Sequence, residues 1–300
     1  MPNSTFDAIV IGGSFAGLSA TMYLARSRCR VLLIDAGKPR NRFTDASHGF
    51  LGQDGKAPEA IRATGRAELA AYDNVTFLDG EATSARPEGD GFLVVMSDGR
   101  QERSRRLVLA TGVTDILPEA DGLAERWGRS VLHCPFCHGY EYRDRELGVL
   151  ATGPASAHQG DLIPDWGPTT YFTQGEFEPS QEELARLSER GVIVERTPVV
   201  ELLGRAPALE AVRLADGRAI PLAALFTAPG LKMTSAIAEQ LGCVFEEGPQ
   251  GPYLKVDGMQ QTSVKGVFAA GDMTAPMHSA LLASSAGMMA GVCAYRSLAV

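Results

Sequence analysis

The run Ala8-Ile-Val-Ile11 passes at once into Gly12-Gly-Ser-Phe-Ala-Gly17 and then into a helical pattern from Leu18 to Arg26. No other feature constrains the fold as tightly. Four consecutive apolar residues read as a buried strand, and Leu18, Met22 and Ala25 recur at helical spacing behind the glycines. A strand that turns into a helix through glycines offers a pyrophosphate both backbone N–H groups and the positive end of the helix dipole. Gly12 permits the tight turn and Gly17 lets helix and strand pack closely, whereas Ser14 replaces the middle glycine and crowds the phosphate approach. A second strand, 31–34, ends in Asp35, where an acid accepts hydrogen bonds from a ribose hydroxyl. Near the C-terminus, Val267-Phe-Ala-Ala-Gly-Asp272 repeats the strand-then-turn logic before a helical run over 279–296, and Asp272 is a candidate for another hydroxylated part of the same ligand.

The chain contains an internal repeat. Asp98-Gly99-Arg100 precedes a strand ending Ala110-Thr-Gly112, and Asp216-Gly217-Arg218 precedes one ending Ala228-Pro-Gly230. Each Asp-Gly lies after an alternating strand, 92–97 or 209–215, and predicts a hairpin turn. The expected fold class is therefore α/β, with two Rossmann-like three-layer nucleotide-binding domains, each with a β-meander, the second inserted in the first. The boundaries read as 1–114 with 231–300 for the first and 115–230 for the second.

The second copy departs at its ligand contacts. Strand 147–151 leads into Thr152-Gly-Pro-Ala-Ser-Ala157, where a phosphate-binding turn belongs, but Pro154 has no N–H to offer. After the next strand, 170–173, the segment Gln174-Gly-Glu-Phe-Glu178 is acidic, and no Lys or Arg occurs between Arg145 and Arg186 to meet a 2′-phosphate. NAD(P)H binding is disfavoured on these grounds. Ser180 and Glu183 form an expected capping box, so the fold survives while the nucleotide contacts look lost.

Between the two copies stands Cys134-Pro135-Phe136-Cys137-His138-Gly139-Tyr140-Glu141. Two thiols across two residues can close a small disulfide and trade electrons in pairs, with the thiolate as the attacking species. A structural zinc site usually needs four ligands from two clusters, and Cys29, Cys243 and Cys293 are scattered singly. These three read as small core residues, and Trp127 and Trp166 as packing residues. His138 abuts the second sulfur and is a candidate general base, the alternative being a helix-terminal histidine with no proton role.

These motifs in this order resemble the low-molecular-weight thioredoxin reductase family over essentially the whole chain. The resemblance rests on Gly12 to Gly17, Ala110-Thr-Gly112, Cys134 to Cys137 with Tyr142-Arg143, and Gly271-Asp272. It implies FAD in the discontinuous first domain, with Cys137 facing the flavin and Cys134 meeting the substrate. It assigns the cofactor to Gly12, Gly13, Ser14, Phe15, Ala16, Gly17, Asp35, Ala36, Arg42, His48, Ala110, Thr111, Gly112, Gly271, Asp272, His278, Ser279 and Ala280. The loop Pro39-Arg-Asn-Arg42 and the segment 47–53 are expected to line the cofactor.

Three departures from the family pattern stand out: His138 replaces the acid after the second cysteine, the NADPH turn and its basic cluster are missing, and Met277-His278-Ser279 replaces an Arg-Gln arrangement beside the flavin. The CPFCHGYE form is similar to the branch containing the dithiol oxidases of epidithio natural products. The expected activity is FAD-dependent dithiol–disulfide exchange through Cys134 and Cys137, not driven by NADPH, on a small-molecule dithiol or a thioredoxin-like protein. Two rivals are NAD(P)H-dependent thioredoxin reduction and a flavin-bound sensor without turnover.

Composition narrows the partners. A net charge of -8 without a Lys/Arg cluster argues against nucleic acid or an anionic membrane surface. No apolar run reaches transmembrane length, the start Met1-Pro-Asn-Ser-Thr lacks a leader pattern, and one close pair among five cysteines suits a reducing compartment, so a cytoplasmic protein is expected. The resemblance further implies a homodimer.

Overall fold

The structure, a computed structural model, describes residues 5–298. Residues 1–4, on which the leader-free reading partly rests, lie outside the described residues, as do 299–300. The chain divides into two compact units: Met1–Arg42, Pro58–Thr114 and Leu231–Val300 form one, and Phe43–Ala57 with Asp115–Gly230 form the other.

In the first unit the leading apolar run is the strand Phe6–Ile11, parallel to Val31–Asp35 on one side and to Gln101–Leu109 on the other. Val75–Asp79 and Val267–Ala269 extend this parallel sheet at its ends. The strand Gln101–Leu109 serves two partners: residues 101–104 pair antiparallel with Gly91–Met96 in the meander, and 107–109 pair with Val267–Ala269. Side chains alternate across the sheet. Ile9, Ile11, Leu32 and Ile34 face one core, while Ala8, Val10, Val31 and Leu33 face another beneath the helices Phe15–Arg26 and Ala280–Leu298. Full burial stabilises each Leu or Ile by about 1.5–3 kcal/mol, which accounts for the unbroken apolar composition of these strands.

The helix predicted from Leu18 begins at Phe15, because Ser14 is the extended cap residue and its carbonyl already accepts from the Leu18 N–H at 2.9 Å. Its partner, Ala280–Leu298, approaches through glycine. A Cβ on Gly287 would stand 2.1 Å from Ala16 O, and one on Gly291 would stand 2.5 Å from Ala20 O. Only glycine at these positions lets the two helix backbones touch.

The second unit repeats the plan. Its parallel sheet runs in the order Ile193–Glu195, Thr169–Phe172, Leu147–Leu150, Ala224–Thr227, Val131–Leu132, and a separate antiparallel meander comprises Val199–Leu203, Ala211–Leu214 and Ala219–Pro221. The two predicted Asp-Gly turns are near copies. In each, Gly adopts positive φ (+87° at Gly99, +90° at Gly217), the Asp accepts from the Arg backbone N–H (3.0 and 3.1 Å), and the Arg Nε reaches the other carboxylate oxygen at 2.7 Å. The copies diverge downstream. One unbroken strand follows Arg100, but after Arg218 the chain splits at Pro221, which has no N–H for a ladder. Leu222 donates to Glu210 in the meander and Ala223 to Glu146 beside the sheet, so the strand changes partners there.

Among the described residues, no helix is long and apolar enough to cross a membrane. Phe43–Ala57 was expected with the first domain and clusters instead with the second. Arg129 binds Asp45 at 2.7 Å and Phe43 O at 3.0 Å, and Gly128 packs directly on Phe43.

Candidate active site

Cys134 and Cys137 form a disulfide with Cα atoms 5.3 Å apart. Strand Val131–Leu132 delivers Cys134 as the extended cap residue of the helical turn Pro135–His138, and the Cys137 N–H donates back to Cys134 O. Pro135 suits the first helical position because its missing N–H would have had no partner there. Trp166 underlies the turn: a Cβ on Gly139 would fall 2.8 Å from its indole, and Phe136 meets it edge-on at 5.6 Å between ring centroids. Trp166 therefore packs against the redox turn, while Trp127 is buried in the core of the second unit. Phe136 and Tyr140 project into solvent beside the sulfurs.

His138 is half-buried, and burial lowers its pKa below the ordinary histidine value; His48 adds to the shift and Glu141 opposes it. Burial thus favours the neutral imidazole, the form that accepts a thiol proton. His48, expected among the cofactor residues, lies in the second unit with its ring edge-on to His138 at 6.2 Å. Of the acids beside His48, Glu141 belongs to the cysteine motif itself, whereas Asp54 had no signal in the sequence that tied it to this cluster.

In the first unit the glycine turn is closely built. A Cβ on Gly12 (φ +114°) would meet Ala110 O at 2.1 Å, one on Gly13 would meet the Asp35 carboxylate at 2.4 Å, and one on Gly17 would meet Gly12 O at 1.7 Å. Ser14 makes no side-chain cap, and the first turn of the helix Phe15–Arg26, which includes Ala16, carries no acid. That combination leaves the helix end suited to an anion.

Asp35 accepts from the Gly37 N–H at 3.0 Å and from Arg62 at 2.9 Å, one contact on each carboxylate oxygen, so acceptor capacity remains for a ribose hydroxyl; Ala36 is exposed beside it. Arg62, which no sequence motif marked, also reaches Gly13 O and ties the acid to the turn. Arg40 binds Asp272 Oδ2 and His278 Nδ1, each at 2.9 Å. The His278 Nε2–H donates to Ala275 O, so the ring is held in one tautomer. Gly271 (φ +88°) approaches Ala16, Thr111 contacts Met273, Gly112 O accepts from Thr234, and Ser279 caps the helix that begins at Ala280. Arg42 donates to Pro39 O within its own loop. A cradle that a Cβ would fill, an uncapped helix end and an acid with acceptor capacity left beside the turn fit the adenosine diphosphate part of FAD.

The corresponding turn of the second unit is closed from within. Ser156 Oγ accepts from the backbone N–H of both Thr152 (3.0 Å) and Gly153 (3.2 Å), and Ser156 is almost fully buried. Thr152 Oγ1 donates to Ala228 O. The predicted acidic segment also gains a cation that its own sequence lacks: Arg196, from the end of the next strand, forks onto Glu178 and is neutralised by it. The expected Ser180–Glu183 capping box is present.

The sequence matches the pyridine nucleotide-disulphide oxidoreductase family over residues 6–153 and 175–290. Thioredoxin reductase tcpT of Claviceps purpurea is 34% identical, with 95% of this chain and 92% of the relative covered. Thioredoxin reductase sirT of Leptosphaeria maculans is 32% identical, with 96% and 93% covered. The crystal structure of an oxidoreductase from Agrobacterium tumefaciens superposes with a TM-score of 0.94 at 49% identity, covering 99% of both chains. A redox cysteine pair on one nucleotide fold, a dinucleotide cradle on the other and these relatives agree: the chain belongs to the pyridine nucleotide-disulphide oxidoreductase family, in its thioredoxin reductase-like class, whose members are flavin oxidoreductases.

Proposed function

We propose that this protein oxidises thiol pairs to disulfides through Cys134–Cys137, with FAD as its cofactor and without a nicotinamide donor. The observation that carries this reading is the contrast between the two glycine turns. The first is open to a pyrophosphate, whereas the second spends its Thr152 and Gly153 amides on Ser156 and loses a third to Pro154. The acidic segment 174–178, with Arg196 committed to Glu178, offers no spare cation for a 2′-phosphate.

The glycines of the first turn with Asp35, Arg62 and Asp272 would hold FAD. FAD, when bound, would supply the two-electron acceptor for the reduced cysteine pair, with dioxygen or another oxidant as the terminal acceptor. His138 takes the proton of the first substrate thiol, and the resulting thiolate attacks Cys134 Sγ. The Cys134–Cys137 bond breaks and Cys137 leaves as a thiolate. The second substrate thiolate then attacks the substrate sulfur of the mixed disulfide and releases Cys134. The substrate has lost two electrons and two protons, and the cysteine pair has gained the electrons.

The names of the fungal relatives favour a second reading, NAD(P)H-driven reduction of thioredoxin. Anaerobic stopped-flow mixing separates the two. A dithiol is expected to bleach the flavin absorbance rapidly, Cys134→Ser and Cys137→Ser to abolish that bleaching, and NADPH and NADH to bleach far more slowly than turnover. Bleaching by either nucleotide at the turnover rate would overturn the oxidase direction.

A further inference from the structure

Oxidation of a dithiol releases two protons, and His138 holds one. While Cys137 remains a thiolate, the first proton has to leave His138 before the second substrate thiol can be deprotonated there. The surroundings of His138 contain a route for it. His48 arrives on the segment Phe43–Ala57, which packs into the same unit as the disulfide, and its ring faces that of His138 edge-on at 6.2 Å. Both nitrogens of His48 lie 3.6 Å from a carboxylate oxygen: Nδ1 from Asp54 Oδ1 and Nε2 from Glu141 Oε1. His48 itself is mostly shielded, with its side chain 21% exposed, whereas Glu141 and Asp54 are 41% and 67% exposed.

We propose that His48 is a positioning residue for the redox pair, accepting the proton that leaves His138 and delivering it to solvent past Glu141 and Asp54. The assignment rests on the dithiol-oxidising reading and on His138 as its base. The substrate S–H bond breaks as an N–H bond forms on His138; that N–H breaks as one forms on His48; and the proton departs to water, with no electron moving along this path. The proposed transfer runs through one water between the rings, whose centroids are 6.2 Å apart. The titratable groups facing His138 are His48 and Glu141, and those facing His48 are His138, Glu141 and Asp54, so the cluster pairs two imidazoles with two carboxylates. His48 lies far from the CxxC in sequence, and only the fold of the second unit brings it there.

The test reads the cysteines directly. Oxidised holoprotein is mixed anaerobically with dithiothreitol between pH 5.5 and 8.5, quenched with acid, alkylated, and analysed by mass spectrometry for reduced Cys134 and Cys137. His48→Gln is expected to slow reduction about tenfold at pH 7. The deficit should shrink toward high pH, where thiolate is supplied by the solution, and added imidazole should restore the rate. The surface variant Glu141→Gln with Asp54→Asn, which leaves both rings in place, is expected to show a smaller deficit with the same pH dependence. A wild-type rate in His48→Gln while His138→Gln is slow would overturn the proposal and leave the role of His138 intact. A uniform slowing of His48→Gln at every pH, unrelieved by imidazole, would also overturn it by assigning His48 to structure alone. If His138→Gln reduces at the wild-type rate, the base assignment itself fails, and the relay fails with it.

Discussion

His138 shows how a single residue links proton chemistry to stability. Burial holds its pKa below the ordinary value, so in the window between that lowered value and about 6.5 the unfolded chain binds a proton that the folded chain does not. Stability therefore rises with pH across the window, is lost as pH falls through it, and levels off below it. Chemical denaturation at pH 7.5 and 5.5 should show a loss of stability on acidification that is smaller in His138→Gln, and an unchanged loss in the variant would contradict the burial argument. The identity of His138 beside Cys137 was legible in the sequence because adjacency alone places it there. The closeness of His48 to His138 was not, because packing of Phe43–Ala57 against Gly128 and Arg129, between segments far apart in the chain, brings it there.

At the scale of elements, the two hairpin turns and the two glycine turns are each a comparison within one chain. Arg100 binds Asp98 across its turn, but Arg218 binds Asp216, Glu195 and Thr197, and holds Glu195 down at about 2. Arg218→Ala should therefore cost more stability than Arg100→Ala in parallel urea titrations. Because the folded pKa of Glu195 is depressed, its contribution is fully present above the ordinary glutamate range and lost as pH falls toward 2, so the gap between Arg218→Ala and wild type should close on acidification.

For the glycine turns, Ser156→Ala removes the acceptor shared by two amides and is expected to destabilise by about 1–3 kcal/mol, read from denaturation midpoints at constant slope. A neutral effect would mean that those amides find other partners readily. The damage to this turn was legible from Pro154, but its closure by Ser156 was not, since a serine at that position reads only as the start of a helix. The last meander strand had been expected to run on unbroken, and it splits at Pro221, whose missing N–H ends the ladder there.

Across the whole molecule, the first unit is made of chain ends brought together. The helix after the first glycine turn and the helix Ala280–Leu298 touch backbone to backbone at Gly287 and Gly291. Gly287→Ala would force its Cβ against Ala16 O, inside the turn proposed to hold the cofactor. The expected cost is about 1–3 kcal/mol with a reduced FAD content in the purified protein, measured by thermal denaturation and by flavin absorbance per chain. Wild-type flavin content and stability would show that the helices can separate without disturbing the turn.

What the sequence determined by itself is local: a buried strand passing through glycines into a helix, two Asp-Gly hairpins, a capping box and a cysteine pair. Each depends on residues within a few positions of one another, through side-chain periodicity, allowed φ and short-range hydrogen bonds. The tertiary structure alone decided that Arg62 ties Asp35 to the glycine turn, that Arg40 joins Asp272 to His278, and that His48 stands beside His138. Those partnerships join segments distant in the chain, and which distant segments meet is set by how the sheets and helices pack, which no local pattern encodes.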